Sequence, residues 1–124
     1  TLSAYASYFR VLFNASYLSE EMSEKALRYL ARSVFRDGMA SGIPPDIDIA
    51  SKAGERVIRT VDSEGAPEDV LQLHEFGIIY HPERPFLLGV TARGGDFQDL
   101  ARVIRDITRL VYAEVDSQSS AETP

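Results

Sequence analysis

The stretch LHEFGIIYHPERPFLLGVTARGG, residues 73–95, decides the fold. Its first part is rich in β-branched and aromatic residues, and so is the segment FLLGVTAR that follows, which predicts two strands. The four residues PERP between them predict a short hairpin loop. The stretch therefore predicts an antiparallel pair of strands joined at residues 82–85.

A further strand is predicted upstream of this pair. Residues 46–50 alternate polar and apolar side chains, which predicts a strand leading into Lys52. Residues 56–61 predict further extended chain. The segment DSEGAPED, residues 62–69, has turn residues and predicts a polar loop. These segments together predict a sheet of three antiparallel strands.

Helices are predicted on both sides of these strands. Residues 2–14 have the spacing of a helix with one buried face, formed by Leu2, Tyr5, Phe9, Leu12 and Phe13. A second helix starts near Ser19 and ends near residues 33–36, and its apolar stripe comprises Met22, Ala26, Leu27, Leu30 and Val34. The two predict an antiparallel helical hairpin. Asp96 is a predicted N-cap for a long helix that runs to about Glu114.

The predicted fold class is α+β, with two N-terminal helices, a three-stranded antiparallel sheet and a long C-terminal helix packed on the sheet. We divide the chain into a helical segment, 1–45, and a sheet with its closing helix, 46–115. Residues 116–124 are small and polar, which predicts a disordered tail. The edges of the sheet would be open unless another strand pairs with them.

Composition argues against several classes of function. The net charge of −6 and the pI of about 4.8 disfavour nucleic acid as a partner, because phosphate binding normally needs a basic face. The chain has no cysteine, and its two histidines are seven residues apart, so we predict no metal site and no cofactor. No apolar run has the length of a membrane span.

The segment IASKAGER, residues 49–56, contains one of the two lysines of the chain. Lys52 is either a solvated lysine at the end of a strand or a cation of a functional site. His74 and Glu75 raise a similar choice. They are adjacent on a predicted strand and point to opposite faces, which favours two structural residues over a catalytic dyad.

The order of elements and several segments resemble the C-terminal half of the class A β-lactamase and penicillin-binding-protein family of serine hydrolases. The resemblance runs from Thr1 to about Val115. YLSEEMSEKALRYL resembles a helix start of the family, and DGMASGIPPDIDIASKAGE resembles the segment that leads into its K-[TS]-G strand. HEFGIIYHPERPFLLGVTARGG resembles the next two strands, and FQDLARVIRDITRLVYAEV resembles the closing helix.

This resemblance implies acyl transfer on β-lactams or peptidoglycan-like peptides, in a bacterial, extracytoplasmic protein that is periplasmic or secreted. It implies a substrate-binding wall in which Lys52 attracts a substrate carboxylate and Gly54 lets substrate approach. The backbone N–H of Glu55 would face the oxyanion. Ala53 stands at the family's hydroxyl position and cannot donate its hydrogen bond, which is worth roughly 1.5–3 kcal/mol to a charged group. The Glu55 side chain would disfavour an acidic substrate.

The family's nucleophile and base motifs are absent from the sequence. No serine has a lysine three positions later, as S-x-x-K requires, and the single asparagine, Asn14, excludes S-D-N. The expected catalytic set in this chain is therefore empty. The resemblance implies that a missing N-terminal segment, or another copy of the chain, completes the sheet. Two other interpretations remain open, a non-catalytic module of this fold that binds a partner or itself, and an unrelated α+β interaction domain.

Overall fold

A computed structural model describes residues 1–122 of the chain. Three α-helices, a short 3-10 helix and three strands follow one another in the order α1 Leu2–Phe13, α2 Glu20–Leu30, 3-10 helix Met39–Gly42, β1 Ile49–Val61, β2 Pro67–Ile79, β3 Phe86–Gly94 and α3 Phe97–Glu122. The predicted α+β class and its order of elements are confirmed.

The three strands form one antiparallel sheet in the order β1-β2-β3. A tight turn joins β1 to β2. In it the Asp62 side chain accepts hydrogen bonds from the N–H groups of Glu64 and Ala66, and Gly65 has a positive φ of 83°. Only glycine adopts that conformation at no steric cost. The turn ends at Ala66, so the predicted loop over residues 62–69 is three residues too long, and β2 begins at Pro67.

The segment around Lys52 is one continuous strand. The sequence predicts a strand over residues 46–50 and separate extended chain over 56–61, whereas β1 is one unbroken strand from Ile49 to Val61, and residues 46–48 lie before it. Lys52 therefore lies inside a strand and is not at its end. Ala53 and Gly54 keep the ladder because each has a partner on β2, Glu75 and His74 respectively.

Both faces of the sheet are covered, although the prediction provided for only one. The α3 face holds the larger core, which comprises Met39, Ile43, Ile49, Leu73, Ile79, Val90, Leu100, Ala101 and Ile104. On the opposite face, Phe9 of α1 packs against Phe76 and Ile78 of β2. Because successive strand residues point to opposite faces, β2 contributes alternate side chains to the two cores.

The N-terminal helices bury less than their sequence pattern predicts. On α1, Phe9 is buried, but Leu2 and Phe13 are 57% and 49% exposed. Helix α2 ends at Leu30, so Val34 is outside the helix and fully accessible. These helices have an apolar surface that nothing within residues 1–122 covers. The predicted apolar stripes included more positions than are buried, because periodicity shows which side chains share a face but not how much of that face is covered by other elements.

Helix α3 continues to Glu122, about two turns past its predicted end. The prediction of a disordered tail is therefore wrong for residues 116–122, and residues 123–124 lie outside the described residues. Contacts with the β2–β3 loop explain the extension. Asp116 accepts a hydrogen bond from His81 Nε2 at 3.2 Å, and Glu122 forms an ion pair with Arg84. Ser120 Oγ also donates to the backbone oxygen of Asp116.

None of the helices in the described part of the chain has both the length and the apolar character that a membrane span requires. Within that part, β1 and β3 are the edge strands of the sheet. Their outward-facing backbone groups have no ladder partner there.

Candidate functional site

The predicted site lies on β1. Its neighbours are set by three cross-strand rows, each made of one residue from each strand that lie side by side. Lys52 is aligned with Phe76 and Gly89, and Gly54 is aligned with His74 and Thr91. The third row comprises Arg56, Gln72 and Arg93. All nine side-chain positions are on the sheet face that α1 partly covers, because alternate residues of a strand share a face.

Lys52 is exposed at the edge strand. No carboxylate in residues 1–122 lies within 4.0 Å of its ammonium group. An unpaired lysine on an open strand edge is free to meet a ligand anion. Its placement is compatible with both interpretations of the sequence, the solvated lysine and the site cation.

Ala53 points to the other face, toward Glu75, its cross-strand partner. It has no hydroxyl, and the hydroxyl of the preceding residue cannot replace it. Ser51 Oγ is buried and donates a hydrogen bond to Glu75 Oε1 at 2.8 Å. The K-A-G segment therefore has no free side-chain hydroxyl beside Lys52. Glu55, the last predicted wall residue, is exposed, with Leu73 as its partner on β2.

Gly54 makes room for His74. A Cβ at position 54 would be 2.6 Å from His74 Nε2 and 2.7 Å from Cε1. The imidazole also meets the Tyr5 ring edge-on, with centroids 5.7 Å apart. The His74 side chain therefore lies over this glycine on the sheet face that α1 partly covers.

Glu75 anchors β1 from the opposite face. It is completely buried, and its two oxygens accept hydrogen bonds at 2.8 Å, one from Ser51 Oγ and the other from the Met39 N–H. Gly38 is required beside it, because a Cβ there would overlap Glu75 Oε2. With Ser51 fixed inward, Lys52 must point outward, since a slip of one residue would exchange the two faces.

Loss of solvent contact has the largest effect on the pKa of the Glu75 carboxyl. Burial raises the pKa of the Glu75 carboxyl above its usual value, while the hydrogen bonds from Met39 and Ser51 and the charge of Arg36 act in the opposite direction. Burial disfavours the charged form of an acid. The carboxyl is therefore more costly to ionise in the folded chain than in the unfolded one.

Sequence reasoning missed His74 and Glu75 as neighbours of the site. Their opposite orientations are as predicted, but both were treated as ordinary strand residues. The information that could have found them is the turn at Asp62–Ala66. Each β1–β2 pair is symmetric about Glu64, so Gly54 and His74 are both ten residues from it. Locating the turn correctly would have predicted this register.

No group of three or more potential metal-binding side chains comes together within residues 1–122. Two hydroxyls on the strands around the site differ in their bonding. Ser51 is engaged by Glu75, while Thr91 Oγ1, beside His74, is buried with no hydrogen-bond partner in the described chain. Neither serine nor threonine here has a histidine or lysine base bonded to it, as an activated nucleophile needs.

Solved structures with the same arrangement include PBP-A and two β-lactamases, one of them of class A. PBP-A superposes with a TM-score of 0.70 and 17% identity over 90% of this chain and 38% of its own. A variant of the β-lactamase of the last common ancestor of Gram-negative bacteria gives 0.68 and 19%, over 91% and 40%. A β-lactamase from Burkholderia ambifaria gives 0.63 and 16%, over 92% and 41%. These similarities establish the fold.

The chain thus spans about two fifths of the length of the solved structures that it matches. Comparison with curated protein sequences gave no significant match. The model of the β-lactamase enzyme family matches residues 1–115, which is most of the chain. The chain belongs to this family, and the resemblance noted from its sequence is confirmed.

Proposed function

We propose that the chain provides the C-terminal part of a β-lactamase-like serine hydrolase that acts by acyl transfer on β-lactams or peptidoglycan-like peptides. One observation carries the proposal. The K-A-G segment, in a chain of this family, is on an open edge strand with Lys52 exposed and unpaired within the described residues. In this role Lys52, Ala53, Gly54 and the backbone of Glu55 form one wall of the substrate cleft.

The nucleophile of this proposal comes from outside the 124 residues. Neither S-x-x-K nor S-D-N occurs in the sequence, and the buried Ser51 is hydrogen-bonded to Glu75. The chain alone is therefore proposed to bind a carboxylate-bearing substrate weakly and not to react with it. Reading the gene upstream of Thr1 tests this part, because a parent frame without S-x-x-K contradicts the hydrolase.

The wall itself is testable without turnover. Titration of penicillin G into the ¹⁵N-labelled chain should shift the amide signals of residues 52–55 and 74. Lys52→Gln should weaken this response about fivefold, as expected for a solvent-screened ion pair. Lys25→Gln is the matched control, because Lys25 is the other lysine and is exposed on α2. Equal effects of the two substitutions would mean that Lys52 is only a solvated lysine.

The same titration with Ala53→Thr tests whether a hydroxyl at position 53 contacts the ligand. A hydroxyl that reaches the ligand carboxylate should tighten binding about tenfold, the lower end of what a hydrogen bond to a charged group provides. We expect the lower end because side chain 53 points away from Lys52 and must act around the strand edge. An unchanged affinity would show that position 53 does not contact the ligand.

A second candidate function is a non-catalytic module that pairs through its sheet edge, and the composition of β3 favours it. Of its residues, Phe86–Gly94, only Arg93 is charged, whereas exposed edges are usually protected by charge or proline. Helix α1 and the segment that follows it form an apolar groove of about 540 Å³, lined by Tyr8, Val11, Leu12, Ser16, Tyr17 and Leu18.

The occupant proposed for this edge is an N-terminal segment of the parent protein or another copy of the chain, which would add a strand to the sheet. Sedimentation velocity over a range of concentrations distinguishes the two. Self-association predicts a dimer that grows with concentration, and a folded monomer at every concentration excludes the second copy.

Membership of the family also supports an extracytoplasmic location, periplasmic or secreted, for the parent protein. Fractionation of the source cells tests it, and recovery of the protein in the cytoplasmic fraction alone would contradict it.

A further inference from the structure

In the third cross-strand row, two arginines donate hydrogen bonds to the same oxygen atom. Gln72 lies between Arg56 on β1 and Arg93 on β3. Its side-chain oxygen, Oε1, accepts a hydrogen bond from Arg93 Nε at 3.0 Å and a longer one from Arg56 Nη2 at 3.4 Å. Gln72 is only 8% exposed, so its amide is held in place while both guanidinium groups extend to solvent.

These two positive charges have no counter-ion within residues 1–122. Within residues 1–122, no carboxylate oxygen lies within 4.0 Å of either guanidinium group, whereas Arg59, on the same hairpin, pairs with Asp69 at 3.1 Å. Two like charges that donate to the same atom repel each other even in water. A neutral amide oxygen orients them without relieving that repulsion.

We propose that Arg56, Gln72 and Arg93 form a binding site for an oxyanion, a carboxylate or phosphate group, that bridges the two guanidinium groups. Each guanidinium has five N–H donors in a planar fork, and Gln72 takes only one from each. The remaining donors match the paired oxygens of a carboxylate or phosphate. Gln72 provides the fixed point that sets the separation of the two forks.

This site is distinct from the K-A-G wall and does not depend on the proposed hydrolase function. Arg56 is four residues beyond Lys52 on the same face of β1, roughly 13 Å along the strand. The row of Gly54, His74 and Thr91 separates the two. A single carboxylate at Lys52 therefore does not reach Arg56.

The test is a titration of inorganic phosphate into the ¹⁵N-labelled chain at constant ionic strength, which holds general screening fixed. The Nε–H signals of Arg56 and Arg93 should shift together and saturate in the millimolar range. Arg56→Gln should weaken binding about fivefold, because one of two exposed charged contacts is lost. Arg59→Gln makes the same change of charge at the paired arginine and should alter the affinity less than about twofold.

Gln72→Glu is the sharper variant, since it keeps both arginines and adds a carboxylate between them. It should abolish the phosphate response and raise the midpoint of urea unfolding, because the new carboxylate takes the place of the anion. Urea unfolding and the backbone spectrum show at once whether each variant is folded. Phosphate binding by folded Gln72→Glu with the affinity of the original chain would overturn the site.

Parallel titrations with acetate identify the source of the anion. Tighter binding of phosphate indicates a phosphoryl group, and binding of acetate at least as tight indicates a carboxylate. A linear, unsaturated shift of all arginine signals alike with both anions, or equal effects of Arg56→Gln and Arg59→Gln, would overturn the proposal.

Discussion

The imidazole of His74 occupies the space that a side chain at position 54 would need, with Nε2 2.6 Å from where a Cβ would be. The glycine of K-A-G is thus required by the packing of this chain, whatever ligand approaches it. The contribution of Gly54 to the stability of the fold can be measured by comparing Gly54→Ala with the same substitution at other glycines.

We predict that Gly54→Ala lowers the free energy of unfolding by about 1–2 kcal/mol, because His74, which packs against the Tyr5 ring, must shift to make room for the new methyl group. Gly77→Ala should cost about 2–3 kcal/mol. There the new Cβ would meet Ser51 Cβ at 2.7 Å and the Ala50 carbonyl oxygen at 3.1 Å, neither of which can rotate aside.

Urea unfolding measures whether Gly77→Ala is more destabilising than Gly54→Ala, and Gly95→Ala is the control. Apart from the two adjoining residues, no part of the described chain lies within 4 Å of a Cβ at position 95, so the change should be within about 0.5 kcal/mol. If Gly54→Ala were as mild as Gly95→Ala, the imidazole would not be held over the strand.

The buried carboxyl of Glu75 predicts a pH dependence of stability. Its pKa in the folded chain is above the ordinary value of 4.5. Between the two values the folded state binds the proton more tightly than the unfolded state, so stability falls as the pH rises. The contribution is fully present below pH 4.5 and is lost above the raised pKa. Arg36, the charge that acts on this carboxyl, lessens the effect.

Glu75→Gln should flatten this part of the profile. Glutamine can accept from the Met39 N–H and donate to Ser51, so it retains both hydrogen bonds without a titrating group. Urea unfolding from pH 4 upward provides the measurement, and Glu68→Gln, exposed on the same strand, serves as the control. A profile of Glu75→Gln parallel to that of the original chain would show that Glu75 ionises no less readily when folded.

The last two turns of α3 should depend on Asp116. Asp116→Ala removes the acceptor for His81 Nε2 and should lower the free energy of unfolding by about 1 kcal/mol. The backbone amides of residues 116–122 should then exchange with solvent about fivefold faster.

Gln118→Ala is the matched control for that helix end, because it removes an exposed contact with Glu114 and leaves His81 untouched. It should change stability by less than about 0.5 kcal/mol. Exchange at residues 116–122 that is equally fast in both variants would mean that Asp116 does not anchor the helix.

The sheet was predictable from sequence because its evidence is local. Alternation and β-branched residues in residues 73–95 are sufficient for two strands, and turn residues between Asp62 and Ala66 mark the hairpin. The end of α3 was not predictable from local propensity. By themselves, its serines and acidic residues favour disorder. The helix persists because His81 and Arg84, more than thirty residues earlier, contact Asp116 and Glu122.

The candidate site was predictable only in part. Lys52 and its neighbours follow from the order of segments, but the environment of the site depends on register. The sequence predicted Glu75 only as a structural strand residue, and its burial could not be foreseen because a charged side chain is rarely buried. Ser51 and Gly38, distant in sequence, provide the cavity that accepts it.

The central claim is that this chain has the fold of the β-lactamase enzyme family without the family's nucleophile. Intact-mass spectrometry of the 124-residue chain after incubation with penicillin G tests it most directly, with an active penicillin-binding protein treated in parallel to show that the reagent acylates. We predict an unchanged mass for the chain, because no serine has the S-x-x-K lysine. A mass increase equal to one penicillin molecule, retained on the unfolded chain, would contradict the claim.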